Sequence, residues 1–287
     1  MTIHLRPITP ADTETCGRII FEAFKGIADQ HNFRPDFPSV EFATQFAGAF
    51  INSPTTFGVA AELDGVFVGS NFLSEDDAIR GVGPITIDPG CQARGIGRKL
   101  MQAVIERGRD AIGIRLVQDA FNTASMSLYT SLGFDIKEPL VMIEGHIQAD
   151  LPAGIEVRRL AADDFDACGD LCRSVHGIER TNELRHMPPM FPSFAAFRNG
   201  RLVAYTSAPH FWPLNHGVAE TTEDMQALLI GASQSVPQPL SFLIPIRQSA
   251  LFRWCLGHGM RVIKPMNLMA MGEYQEPRGC FLPSVGY

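Results

Sequence analysis

The stretch Ile85-Thr86-Ile87-Asp88-Pro89-Gly90-Cys91-Gln92-Ala93-Arg94-Gly95-Ile96-Gly97-Arg98 decides the fold. Ile85 to Ile87 form a short apolar strand that stops at Asp88-Pro89. From Ile96 onward, Leu100, Met101, Val104, Ile105, Gly108 and Ile112 recur on one helical face. The glycines therefore lie between the end of a strand and the start of a helix. A helix N-terminus leaves N–H groups unpaired and carries partial positive charge. Gly95 and Gly97 let the backbone approach an anion without a Cβ in the way, and Arg94 and Arg98 add charge. The implied ligand is a pyrophosphate, with the rest of a nucleotide-bearing molecule lying along the preceding strand.

Two other phosphate motifs fail on the residues. A P-loop needs G-x-x-x-x-G-K-[ST], and neither Gly90 nor Gly95 starts one. A dinucleotide fingerprint needs a third glycine after Gly97, where Leu100 stands. A plain tight turn would explain two glycines but not Gln92, Arg94 and Arg98 together.

The stretch Gln92-Ala-Arg94-Gly95-Ile96-Gly97 resembles motif A of the GNAT superfamily of N-acetyltransferases, Q/R-x-x-G-x-G/A after a strand. A later motif of that family is similar to Phe121-Asn122, Ser125, Tyr129 and Gly133-Phe134. The resemblance covers about residues 3–144 well and the remainder faintly. It implies a mixed α/β sheet, acetyl-CoA as co-substrate, no metal, and transfer of an acetyl group to an amine by direct attack. Carried over, Ile85 and Ile87 would hold the pantetheine arm through backbone groups. Gln92, Arg94, Gly95, Ile96, Gly97 and Arg98 would surround the pyrophosphate, and Asn122 and Ser125 would contact the cofactor. Tyr129 would be the general acid, giving its proton to the departing CoA thiolate, because an ordinary Tyr is neutral at pH 7.

No general base is evident. Glu75, Asp76 and Asp77 form an acidic run between two strands that reads as a solvated turn, and Glu22 on the first helix is a second candidate. Cys91 lies beside the glycine turn, but no His neighbours it in sequence, so it reads as structural.

The chain also repeats itself. Ile3-His4-Leu5-Arg6 recurs as Ile155-Glu156-Val157-Arg158, and Cys16-Gly17 as Cys168-Gly169. The hairpin signal Asp64-Gly65 recurs as Asn199-Gly200, Met101-Gln102-Ala103 as Met225-Gln226-Ala227, and Leu132-Gly133-Phe134 as His258-Gly259-Met260. The first copy reads as strand 3–6, helices 11–25 and 39–51, strands 56–63, 66–73 and 81–88, helix 96–111, strand 114–120, helix 123–131 and strand 134–144. The expected class is α/β (α+β), two tandem GNAT-like domains, each a mixed, mainly antiparallel sheet flanked by helices. The boundaries are a catalytic domain at 1–146, a linker at 147–154 where Pro152 and Gly154 break regular structure, and a degenerate copy at 155–287.

The second copy is expected to have lost the site. Pro84 to Met101 spans 17 steps and Pro213 to Met225 only 12, so five residues are missing. No glycine lies between Val218 and Asp224, and Glu220, Glu223 and Asp224 put negative charge at that helix start. Thr221 or Thr222 reads as an ordinary cap, Cys255 stands for Tyr129, and Gln248 for Asn122. Its expected role is structural, or lining an acceptor pocket; Met187 to Phe191, Phe211 and Trp212 either wall such a pocket or belong to the core.

At 287 residues, 45% hydrophobic and 19% charged, the chain can bury two cores and is not a disordered sequence. A net charge of −7 without a Lys/Arg cluster argues against a nucleic-acid partner. No apolar run reaches spanning length and the start is polar, so a cytoplasmic protein without membrane or signal segment is expected. Cys16, Cys91, Cys168, Cys172, Cys255 and Cys280 lack the spacing of a disulfide framework, and Cys168/Cys172 read as small buried apolar residues. The expected partner is a small-molecule amine, and a homodimer is compatible with these features. The rival readings are a non-catalytic module that senses a CoA ester, and an enzyme acting on protein amines.

Overall fold

The computed structural model describes residues 2–286. In the first half, β1 (Ile3–Pro7) leads through a short turn into α1 (Thr13–Gln30) and α2 (Val40–Asn52). The strands β2 (Thr56–Leu63), β3 (Val66–Ser74), β4 (Ile79–Val82) and β5 (Thr86–Ile87) precede α3 (Ile96–Arg107), β6 (Gly113–Asp119), α4 (Thr123–Ser131) and β7 (Asp135–Gly145). The second half repeats this order: β8 (Ile155–Arg159), α5 (Phe165–His176), α6 (Thr181–His186), β9 (Phe194–Arg198), β10 (Arg201–Thr206), β11 (Gly217–Ala219), α7 (Thr222–Ser235), β12 (Leu240–Pro245), α8 (Ser249–Gly257) and β13 (Arg261–Gly272), then β14 (Cys280–Leu282).

The two halves share devices as well as order. Arg6 donates two hydrogen bonds to Asp12 at 2.8 Å, and Thr9 N donates to the same carboxylate. Arg158 does the same to Asp164 at 2.7 and 2.9 Å, joined by Ala161 N. In each half this clasp ties the first strand to the start of the first helix. Charge-assisted forks of this kind are among the stronger polar contacts available to a protein. Both hairpin turns are built alike, with φ of 51° at Asp64 and at Asn199.

Several expected elements differ in extent. The strand expected at 81–88 is two short strands that both pair with β3, of which only β4 also pairs with β6. The first helix runs on to Gln30, and α3 ends at Arg107, where Gly108 closes it, rather than at 111.

The sheets cross the boundary expected between the copies. One runs β1-β2-β3-β4-β6-β13-β7-β12, with β5 beside β3. Thus β13, from the second half, lies between β6 and β7 of the first, and β7 lies between β13 and β12 of the second. With β6 matched to β12 and β7 to β13, the order β6-β13-β7-β12 reads the same from either end. The halves have exchanged their last strands about a pseudo-twofold axis. A second sheet, β14-β11-β10-β9-β8, belongs to the second half alone and is antiparallel throughout. The expected linker is pinned at both faces, Ile147 N donating to Ser233 Oγ at 3.0 Å and Gln148 N to the His258 carbonyl.

Helices α3 and α7 cover their sheets with equivalent buried faces, Leu100, Met101 and Val104 in one and Met225, Leu228 and Leu229 in the other. Cys168 and Cys172 are fully buried among apolar neighbours, and burial pushes the Cys172 thiol up to about 11.

Two outcomes are expected from this architecture. Met266, Leu268 and Met269 of β13 are buried, each contributing about 1.5–3 kcal/mol, which together approaches the net stability of a small domain. Residues 1–146 expressed alone should therefore lack a cooperative melt and aggregate on gel filtration; a monomeric, cooperatively melting fragment would contradict the exchange. In the Arg6 clasp, the fork from Arg6 holds the Asp12 carboxyl down at about 2 from its ordinary 3.8. A lowered folded-state value stabilises above about pH 4 and that contribution is lost as the pH falls through about 2. Asp12→Asn should accordingly flatten the acid limb of a stability-versus-pH curve between pH 4 and 2.

Candidate functional site

Strands β4 and β6 run parallel and pair only over Ile79↔Gly113, Arg80↔Ile114 and Gly81↔Arg115. Beyond Gly81 the chain parts from β6 and stays beside β3, with Leu73↔Val82, Ser70↔Thr86 and Gly69↔Ile87 paired, while β6 continues against β13. The divergence opens a cleft of about 1020 Å³, with Ile85 and Ile87 on one side and Leu116 to Asp119 on the other. Diverging strand edges leave N–H and C=O groups that an extended ligand can pair with.

The glycine turn closes one end. Gly95 caps α3 in the left-handed region at φ 80°, with no side chain hydrogen-bonding to the first turn, so the helix start is open to an anion. Gly97 answers a different demand: a Cβ there would stand 3.1 Å from Ile87 Cδ1 and 3.3 Å from Leu128 Cδ2. Glycine lets α3 pack this close to β5 and α4 without pushing the ends of the Ile87 and Leu128 side chains aside. Gln92, Gly95, Ile96, Gly97 and Arg98 line the cleft, and Arg98 is steadied by Ser131 Oγ at 2.7 Å. Arg94 is exposed on the turn and is not among the cleft-lining residues.

Helix α4 forms the next wall. Asn122 caps it, its side-chain oxygen accepting from Ser125 N at 3.1 Å. Gln118 Nε2 donates to the Asn122 carbonyl at 2.8 Å and reaches Ser125 Oγ at 3.1 Å, while Gln118 Oε1 accepts from Asn267 Nδ2 of β13 at 3.0 Å. One and two turns along, Ser125 and Tyr129 share the face turned to the cleft. The Tyr129 ring packs edge-on to Phe134. Burial, helped by the nearby Asp119 charge, holds the phenol well above its usual range, so it is neutral and can donate. Asp119 ends β6 with Lys264 Nζ 2.7 Å away, and Lys264 also bonds Asp36 at 2.7 and 2.8 Å. Burial opposes the Lys264 charge, but the two carboxylates outweigh it and keep the ammonium protonated.

The opposite end is built by the second half. The acidic run is not a solvated turn: Glu75 pairs with Arg107, but Asp76 and Asp77 line the cleft. Asp77 accepts from Asn182 N at 3.3 Å and Glu183 N at 3.2 Å, which seats α6 against the first half. Arg180, Glu183 and His186 enter the cleft with α6, and Met187, Pro188, Phe211 and Trp212 wall it. Glu22 instead pairs with Arg18 at 2.6 Å and is not among the cleft-lining residues. Burial first, then Asp77 and Asp76, push the Glu183 carboxyl up to about 7 against the opposing pull of Arg180. Nothing in the sequence marks Arg180 or Glu183, since the docking that brings them here joins residues over 100 positions apart.

In the second half the equivalent space is filled. Strand β14 pairs with β11 through Gly217↔Leu282, Val218↔Phe281 and Ala219↔Cys280, on the side where β12 would diverge. Gln248, the counterpart of Asn122, donates to the Phe281 carbonyl at 2.6 Å and accepts from Phe281 N at 3.1 Å. Cys255, the counterpart of Tyr129, is fully buried in the same cluster as Cys280. Helix α7 starts on its own cap, Thr221 Oγ1 accepting from Asp224 N at 3.1 Å.

Among the described residues no helix is long and apolar enough to cross a membrane, and no cluster of three His, Cys, Asp or Glu is placed to hold a metal ion. Residues 24–134 match the family described as acetyltransferase (GNAT) family. No curated protein matches in sequence. Among solved structures, a putative acetyltransferase from Pyrococcus horikoshii is 16% identical with a TM-score of 0.73, over 96% of this chain and 91% of that one. A GCN5-related N-acetyltransferase from Sphaerobacter thermophilus is 15% identical with a TM-score of 0.61, over 96% of each. A tandem GNAT protein from the clavulanic acid biosynthesis pathway is 14% identical with a TM-score of 0.55, over 96% of this chain and all of that one. At such identities the likeness is one of fold, and it extends through both halves. Residues 24–134 thus match the acetyltransferase (GNAT) family, and the fold through both halves is similar to that of a tandem GNAT protein.

Proposed function

We propose that the chain is an N-acetyltransferase that moves an acetyl group from acetyl-CoA to the primary amine of a small molecule, at one site per chain. The observation that carries this reading is a single cleft that runs from an uncapped helix start at Gly95 to a buried, neutral phenol at Tyr129. A pyrophosphate suits the first, and a departing thiolate needs the second.

In this reading the edges at Ile85 and Ile87 hold the pantetheine arm. The first-turn amides of Ile96 to Arg98 hold the pyrophosphate, with Gln92 and Arg98 beside it and Arg94 supplying charge from the outer side of the turn. Asn122 and Ser125, fixed by Gln118, position the arm as it turns toward Tyr129. The amine nitrogen attacks the thioester carbonyl carbon and gives up one N–H proton to solvent, the C–S bond breaks, and the sulfur takes the Tyr129 proton, which solvent then restores. The second half is assigned no cofactor of its own, because β14 fills the space between β11 and β12 and Thr221 satisfies the start of α7.

Calorimetry with acetyl-CoA should give one site per chain, and either two equivalent sites or none would overturn the reading. Gly97→Glu should abolish that binding, since its charge opposes a pyrophosphate and its Cβ crowds Ile87 and Leu128 at the same helix start. Tyr129→Phe should lower kcat by about a hundredfold while the KM for acetyl-CoA stays put, because a proton donor acts in the transition state. Normal turnover in that variant would reduce Tyr129 to a packing residue.

A further inference from the structure

The end of the cleft away from the glycine turn has a composition of its own. Strand β4 begins two residues after Asp77, and the chain reaches the glycine turn only after β5, so Asp76, Asp77 and Glu183 stand at the far end. The Glu183 carboxylate is held rather than loose. Its Oε2 accepts from Arg180, which is itself fixed by His216 Nδ1 at 2.9 Å and Ser284 Oγ at 3.1 Å. Because a guanidinium can only donate, His216 Nδ1 accepts and its Nε2–H donates to the Tyr205 hydroxyl at 2.9 Å. Among the described residues the other oxygen, Oε1, accepts from Ser284 Oγ at 3.5 Å.

The remaining walls here are apolar and largely aromatic. Met187, one helical turn from Glu183, lines the same cleft. Phe211 has its ring 6.3 Å from Phe46, edge to face, and is stacked on Phe191 at 4.9 Å. Trp212 packs with Ile79 and Val285 in one cluster, on the strand that begins beside Asp77. One carboxylate oxygen, beside Asp76 and Asp77, thus meets a wall of rings and aliphatic groups. Such a site recognises a cation on an apolar body, the cation taking the carboxylate and the body filling the aromatic wall.

Resting on the acetyl-transfer reading above, we infer that the acceptor is a primary amine carried on an aromatic or similarly bulky apolar body, and that Glu183 receives its ammonium group and takes its proton. Glu183 Oε1 accepts one N–H proton, and the nitrogen lone pair so freed forms the bond to the acetyl carbon. The C–S bond breaks as Tyr129 protonates the sulfur; the nitrogen then sheds its second ammonium proton to solvent, which restores the Tyr129 proton, and Glu183 releases its own to solvent. The groups facing Glu183 are Arg180 on its own helix side, Asp76 and Asp77 from the β3–β4 loop, and Ser284 from the tail. His186 contacts Asp76 at 2.6 Å, and His216 lies behind Arg180. Burial and the neighbouring aspartates raise this carboxyl to about 7. The base form, and with it kcat/KM, should therefore rise as the pH increases through about 7.

The test follows CoA release from acetyl-CoA with 2-phenylethylamine, hexylamine, ethanolamine and spermidine, alongside calorimetry of acetyl-CoA binding. The expected result is a kcat/KM at least about tenfold higher for 2-phenylethylamine and hexylamine than for ethanolamine and spermidine. Glu183→Gln should lower kcat/KM about a hundredfold and erase the limb near pH 7, with acetyl-CoA affinity unchanged. Trp212→Leu, which keeps the carboxylate, should raise KM for 2-phenylethylamine but not for acetyl-CoA. A preference for ethanolamine or spermidine, no transfer to any amine despite tight acetyl-CoA binding, or a Glu183→Gln enzyme that keeps the limb would each overturn the inference. Absence of acetyl-CoA binding would instead overturn the reading beneath it.

Discussion

The constraint on which the rest depends is the backbone ladder around β13. That strand gives its two edges to β6 and β7, pairing from Met266↔Asp119 to Gly272↔Gly113 on one side and from Arg261↔Glu144 to Ala270↔Asp135 on the other. Once these strands interleave, neither half can bury its last strand without the other, since removing one would leave a row of unpaired N–H and C=O groups inside a sheet. The exchange also decides what stands near the cleft. It sets Lys264 beside Asp119 and Asn267 beside Gln118, so the second half supports the wall bearing Asn122, Ser125 and Tyr129. The docking of α6 on Asp77 is the same partnership seen from the other side.

Much of this was legible in the sequence because it rests on local chemistry. The glycine turn takes positive φ at Ala93 and Gly95 and sets Gly97 close against its neighbours, and these demands fall within six residues. The repeat was legible because its landmarks, such as Arg6 and Arg158, sit at strand ends where one contact recurs. Strand exchange was not, because alternation along β7 and β13 fits a strand that pairs within its own copy as well as one that crosses. The acidic run at Glu75 to Asp77 read as solvated because its partner, the start of α6, lies more than 100 positions along the chain. Glu183 escaped for the same reason. A carboxylate on a six-residue helix carries no local sign that burial will make it a titrating group near neutrality.

The two halves also show how a cleft is kept or lost within one fold. Negative charge at the start of α7 looked in the sequence like the feature that excludes a pyrophosphate. In the structure that charge is largely answered: Glu220 pairs with Arg201, and Asp224 with Arg198 at 2.6 Å. What differs more deeply is occupancy. In the first half the diverging edges of β5 and β6 face an open cleft, whereas in the second β14 has been added to β11 as an extra strand. A strand offers the same backbone donors and acceptors as an extended amide-bearing ligand, so it satisfies the edge that such a ligand would otherwise occupy. Gln248 fits this substitution: in place of Asn122, its longer amide spans both backbone groups of Phe281. With Cys280 and Leu282 buried in the second core, the added strand also supplies apolar area, about 1.5–3 kcal/mol for the leucine alone. The second half is stabilised by filling the space that the first half leaves open. The same tail then passes Ser284 to Arg180 and lays Gly286 over Gly81 at the far end of the open cleft. The segment that closes one cleft thus shapes the far end of the other.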